Sequence, residues 1–252
     1  MPSARVLAFG PAPSWISSMR LLSFDIEISD VFDLKPGEDL DRYAPFHIAV
    51  ASTVIDGGEE RLWYSAGSDQ KPSANMTAAK ASELLAYLHD MQTSGYMVCA
   101  WNGLQFDLRW IGHVADDAAL AARVALKTYD PMFQFFNRRG FPVSLEAVAR
   151  GMRIPQRKVM TAADAPREWR AGNYQAVMDY VLGDSQITNR IVKAIADRGE
   201  VRWITAKGQA RTEPMPRLKP VETVLADPEP DQSWMDHPIP RSTFSQWFPA
   251  NL

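Results

Sequence analysis

A single cysteine, Cys99, in 252 residues excludes an internal disulfide and gives no thiolate cluster for zinc, a usage that suits a reducing cytoplasm. Its setting in YMVCAWN is that of a small core residue. Histidine is almost as scarce, and His47, His89, His113 and His237 show no metal-ligand spacing, so an imidazole-based site is not expected. No apolar run approaches the ~18 residues of a membrane span, so the reading is of a soluble, cytoplasmic chain with no membrane partner. An excess of positive charge is also missing. With 27 Lys and Arg against 30 Asp and Glu, any polyanion must meet a local basic patch rather than the whole surface. The first twenty residues carry one early arginine and an apolar stretch broken by Gly10, Pro11 and Pro13, a poor signal peptide. They are read as an N-terminal extension, with Met19 as an alternative start.

What the chain does have is enough apolar residue, 46%, to bury a substantial core. Two β-like runs, FHIAVASTVID and RLWYSAG, flank the turn residues Asp56, Gly57 and Gly58, so the first three strands read as an antiparallel meander. A helix over 77–91 places Ala81, Leu84, Leu85 and Leu88 on one side, YMVCAW follows as a buried strand, and helical periods run on through 195. This order describes an α/β chain with a mixed sheet flanked by helices. From 214 onward eight of the 18 prolines occur, so an extended tail with short regular structure is expected. Its Trp234, Phe244, Trp247 and Phe248 call for cover by the domain or by a protein partner.

The first strand, LLSFDIEISD, carries two acids on one side. Side chains alternate, so Leu22, Phe24, Ile26 and Ile28 point one way while Ser23, Asp25, Glu27 and Ser29 point the other. A strand with its polar face in water would read the same. Further along, WNGLQFD spans a strand end and a helix start, and Asp107 falls within the apolar stripe of Leu104, Leu108 and Ile111. A first-turn acid favoured by the helix dipole is the plain alternative. In the late helix, Val177, Val181, Ile187, Ile191 and Ile195 trace an apolar stripe that contains Asp184, with Tyr180 one turn earlier. An ionised carboxylate turned inward must be marginal, hydrogen-bonded or facing a cation. Gly183 weakens this helix by about 1 kcal/mol relative to alanine, which suggests close approach by another backbone or by a substrate.

Four acids converging at a sheet edge would repel one another strongly, and divalent cations supply the compensation. Oxygen donors without a His or Cys cluster favour magnesium or manganese over zinc. Two such ions, roughly 3.5–4 Å apart, support displacement at phosphorus.

The pattern resembles the DEDD 3′-to-5′ exonucleases of the ribonuclease H-like superfamily. FDIE is similar to their first motif, WNGLQFD to the N-x-x-x-F-D second motif, and YVLGD to the Y-x-x-x-D third motif, in order over residues 21–195. The histidine subclass has its histidine where this chain has Asp179, so Tyr180 places the resemblance in the tyrosine subclass. SLEAVARGM and the later tyrosine motif look most like stand-alone relatives of the proofreading domain of family B DNA polymerases, since the 57 residues after 195 leave no room for a polymerase domain.

The resemblance implies a five-stranded mixed sheet flanked by helices, with an exonuclease domain over 21–200 and a proline-rich extension over 201–252. It implies that Asp25, Glu27, Asp107 and Asp184 hold two Mg or Mn ions, with Asp25 bridging, and that Tyr180 orients the attacking water. Asn102 and Phe106 would shape the cleft near the terminal nucleotide, although Phe106 reads equally as core. The implied activity is metal-dependent release of nucleotides from the 3′ end of single-stranded DNA. An exoribonuclease, or a nucleic-acid-binding or interaction module without catalysis, are the alternatives. Residues 138–170 hold eight basic against three acidic side chains, either a phosphate-binding flank or a solvated helical face. Asp130 in TYDPM reads as the start of a turn or helix and Asp164 lies among polar neighbours, both outside the four-acid set.

Overall fold

The computed structural model describes residues 19–33, 35, 38–155 and 160–251. Most of the N-terminal extension, and Arg157 and Lys158 of the basic run, lie outside them. The elements in chain order are β1 (Leu21–Ile28), β2 (Ile48–Ile55), β3 (Glu60–Trp63), α1 (Ala78–Thr93), β4 (Met97–Cys99), α2 (Asp107–Ala115), α3 (Ala118–Lys127), α4 (Pro131–Arg139), α5 (Leu145–Met152), α6 (Ala165–Arg170), α7 (Tyr174–Arg198), β5 (Glu200–Ile204), β6 (Ala210–Pro214) and α8 (Val221–Ala226).

Alternation along β1 sets the two layers of the fold. Leu22, Phe24, Ile26 and Ile28 enter the largest core, where Leu84, Leu85 and Leu88 of α1, Leu108 and Ile111 of α2, and Phe133 and Phe136 of α4 meet them. The opposite face is covered rather than wet, because α7 lies across it. Ser23 Oγ donates to the Ser185 carbonyl at 2.6 Å, Ser52 Oγ donates to the Val181 carbonyl at 2.9 Å, and Asn189 donates to the Val54 carbonyl at 3.0 Å. Small serines at this contact let the helix backbone come close to the sheet. The α7 stripe is buried as expected, and it serves two cores: Val177 and Val181 pack with Ala49, Val50 and Trp169, while Ile187, Ile191 and Ile195 pack with Phe135, Val148 and Trp203.

The main sheet has four strands in the order β3-β2-β1-β4, with β1 and β4 parallel and the meander antiparallel. The five-stranded sheet is therefore corrected to four. At the position beside β4 stands only a one-residue parallel bridge, Cys99 to Tyr129. Extension is cut off there because Asp130 caps α4 and Pro131 opens it, so the chain turns helical two residues after the bridge.

A separate two-stranded sheet, β5 with β6, was not expected from the sequence. It packs on α5 so closely that a Cβ at Gly151 would come within 2.4 Å of the Trp203 backbone. Beyond it, regular structure is short, as proline predicts: α8 has six residues and a 3₁₀ turn covers Arg241–Phe244. Phe244 is buried against Phe133 and Phe136, and Trp247 and Phe248 pack on the main core. Trp234 departs from expectation and stays 60% exposed. Its indole nitrogen is satisfied within its own turn by the Asp231 carbonyl, leaving an edge contact with Phe141. No helix among the described residues is long and apolar enough to cross a membrane.

Candidate active site

β1 carries Asp25 and Glu27 on the face that α7 crosses, and α7 brings Asp184 to them. Carboxylate oxygens of Asp25, Glu27 and Asp184 lie within 4.8 Å of one another, the one such group of potential metal ligands among the described residues. The register of β1 with β2 shifts between Glu27 and Ile28, an irregularity that turns the strand just where the second acid leaves it.

Asp107 stands behind the three. It begins α2, is 3% exposed, and its Oδ1 accepts the amide of Ile26 at 3.1 Å, between the two acids of β1. The helix-start reading and the inward-facing reading both describe it.

The electrostatics show what this arrangement costs. Burial holds Asp25 well above the usual carboxylate range, and the neighbouring Asp107, Asp184 and Glu27 push it further. Glu27 is raised likewise, by burial and then by Asp184 and Asp107. Burial takes Asp107 up to about 7 and Asp184 to about 6, the latter moderated by a hydrogen bond from Tyr180. Such a cluster cannot hold its full negative charge near neutrality without a cation. Hard oxygen donors, close together and mutually repelling, fit a divalent metal.

Tyr180 sits one turn before Asp184 on α7, and burial followed by the nearby carboxylates raises its phenol far above its ordinary value. It stays protonated, so it is no base, and its hydroxyl donates to Asp184.

A cleft of about 580 Å³ opens over these acids, and its lining includes Trp101, Asn102, Phe106, Arg167 and Tyr180. Asn102 adopts φ +67°, and its Oδ1 is buried without a hydrogen-bond partner. Phe106 lines the cleft and also approaches the Phe46 ring at 6.0 Å, so its cleft and core readings coexist. Gly183 has nothing within 4 Å of where a Cβ would stand, so no other backbone approaches it.

Two residues gain importance that sequence reasoning did not give them. Asp130 is buried and receives three amides: Asn102 at 3.1 Å, Leu104 at 3.1 Å and Phe133 at 3.0 Å. Burial raises it to about 6 even though these amides oppose the rise. It thereby fixes the loop that holds Asn102 and leads into Asp107. The Asp-Pro pair at the start of α4 signalled a cap, but nothing local signalled the loop 26 residues upstream. The other is Arg167, which reaches the cleft from α6. Among the other described residues of the basic run, Arg138 and Arg139 pair with Glu213 of β6, and Arg170 donates to the Ser29 carbonyl.

No family model matches the chain, and no curated protein matches it. Among solved structures it is similar to the family B DNA polymerase from the hyperthermophilic archaeon Pyrobaculum calidifontis, at 13% identity and a TM-score of 0.48. The match covers 83% of this chain and 27% of the polymerase chain. A likeness this distant carries no activity from one protein to the other.

Proposed function

We propose that the chain is a metal-dependent 3′-to-5′ exonuclease that releases nucleotides from the 3′ end of single-stranded DNA, with residues 21–200 carrying the chemistry and the described residues of the 201–252 extension packed against them. The observation that supports this most is the convergence of Asp25, Glu27 and Asp184 from β1 and α7, backed by Asp107 from α2. In this reading Asp25, Glu27, Asp107 and Asp184 hold two magnesium or manganese ions. Bound there, the ions would activate water and stabilise the leaving oxygen of a phosphodiester.

The chain's own residues do the positioning. Tyr180, protonated and tied to Asp184, presents a hydroxyl at the cleft and can orient a water without acting as a base. Asn102 lines the cleft, where a turn of its side-chain amide would meet a sugar hydroxyl, and Asp130 holds its backbone amide. Phe106 and Trp101 give the cleft aromatic walls on which an unpaired terminal base can stack.

The test uses 5′-labelled single strands of DNA and of matching RNA, with magnesium or manganese. A ladder of progressively shorter products from DNA, abolished by a blocked 3′ end and absent from a covalently closed circle, supports the reading. A ladder from RNA alone makes the chain an exoribonuclease, cutting of the circle makes it an endonuclease, and binding without any cutting makes it a nucleic-acid-binding module.

A further inference from the structure

Six carboxylates line the cleft, from Asp25, Glu27, Asp30, Asp33, Asp107 and Asp184, and among the described lining residues Arg167 is the sole cation. The fold presents it deliberately at the mouth. On the same short helix, Trp169 is buried and its indole nitrogen lies 3.1 Å from the carbonyls of both Ser73 and Ala74. Arg170 is fixed by its 2.9 Å bond to the Ser29 carbonyl, at the end of the strand that bears Asp25 and Glu27. With these two side chains pinned, α6 cannot roll, and Arg167 is held over the opening.

The Arg167 guanidinium spans that opening. It donates to the Phe32 carbonyl at 3.1 Å and to Asp33 Oδ1 at 2.8 Å on one rim, and to the Ala163 carbonyl at 3.2 Å on its own. The Arg167 side chain is 46% exposed and the Asp33 side chain 98%, so this ion pair stands in water and is easily exchanged. A phosphodiester offers the guanidinium fork a pair of anionic oxygens in place of one solvated carboxylate.

Resting on the reading that the cleft takes a nucleic-acid strand, we propose that Arg167 grips a backbone phosphate of the entering strand and that Asp33 is the anion it holds until then, the pair forming an exchangeable latch across the cleft mouth. The sole cationic side chain among the described lining residues then meets the polyanion, where the other charged side chains of the lining are carboxylates. A simple strut between α6 and the segment after β1 is the rival account, and the two differ in sign. Loss of either partner weakens a strut. A latch weakens when Arg167 is lost, and engages its phosphate more readily when Asp33 is lost.

Binding of a fluorescent single-stranded oligonucleotide by the full chain in calcium, over a series of salt concentrations, separates them. Arg167→Ala should raise Kd about 5–10-fold and reduce the salt slope by about 0.7, the value for one phosphate contact on a single strand. Arg167→Lys should recover the slope but only part of the affinity, because a point charge replaces the fork. Asp33→Ala should lower Kd. In hydrolysis assays the Arg167→Ala defect should fall mainly on KM. Equal weakening by Arg167→Ala and Asp33→Ala would overturn the latch, as would an unchanged salt slope in Arg167→Ala while the wild type binds and cuts. A wild-type protein that neither binds nor cuts nucleic acid would overturn the parent reading along with it.

Discussion

Asp107 Oδ1 accepts the amide of Ile26 at 3.1 Å, so the first residue of α2 is fastened to the strand position between Asp25 and Glu27. One hydrogen bond thus fixes the relative placement of three of the four acids. It also separates the role of the Asp107 charge from that of its shape.

Asp107→Asn keeps an oxygen that can accept the Ile26 amide, while Asp107→Ala does not. Both should lose metal-dependent cleavage, by at least the roughly 10–100-fold seen when a carboxylate supporting a metal site is removed. Only the alanine variant should also lose thermal stability. Wild-type turnover in folded Asp107→Asn would remove this residue from the site.

The raised carboxylates make a prediction about pH. Asp107 is taken from an ordinary 3.8 to about 7, so in the metal-free protein the folded state binds its proton more tightly than the unfolded state does. Its contribution to stability is therefore favourable at low pH, declines as pH rises from about 4, and reaches its full penalty above about 7. From Asp107 alone, the metal-free melting temperature should rise by roughly 3–5 °C between pH 8 and pH 6, given about 2–4 °C per kcal/mol for a chain of this size. Magnesium or manganese should restore the difference at pH 8 and do little at pH 5. Equal metal effects at the two pH values, measured by calorimetry, would contradict this account of the cluster.

Tyr180→Phe removes the donor that moderates Asp184. Asp184 should then titrate higher, so the acid limb of the rate profile should move toward neutral pH while turnover drops roughly 10–100-fold. A slowed reaction with an unmoved acid limb would show that Tyr180 acts without Asp184. Undiminished single-turnover cleavage would dismiss it altogether.

Gly183→Ala tests whether the glycine beside Asp184 is kept for space. The site of its Cβ is open and Gly183 does not line the cleft, so alanine should stabilise the helix by about 1 kcal/mol, or roughly 2–4 °C in Tm. A loss of oligonucleotide affinity in this variant would mean that the strand passes over α7 at this point.

The acids of β1 were legible because strand alternation is rigid: once Phe24 and Ile26 face the core in turn with Asp25, the polar side follows. That this side would be covered was legible only from α7, whose stripe ran through Asp184. The β6 half of the β5–β6 hairpin left almost no trace, since Glu213 is its only buried residue and no apolar alternation marks it, whereas β5 alternates through Val201 and Trp203. The fifth strand came only from the resemblance, with no run of residues assigned to it; beside β4 the chain supplies Tyr129 alone before Asp130 and Pro131 turn it helical. Asp130 itself shows the limit of local pattern. Its Asp-Pro cap is visible in sequence, but its hold on Asn102 and Leu104 exists only after folding brings the two segments together.

Near the far end of the chain, Trp247 donates its indole hydrogen to the Leu104 carbonyl at 2.8 Å, on the loop whose amides Asp130 holds from the other side. Leu104 is thus gripped at both its amide and its carbonyl, two residues from Asn102. Tags, fusions and truncations at the C-terminal side are consequently not neutral choices for anyone preparing this protein. A purification handle that strains the segment around Trp247 tugs on the cleft wall more than a hundred residues away in sequence.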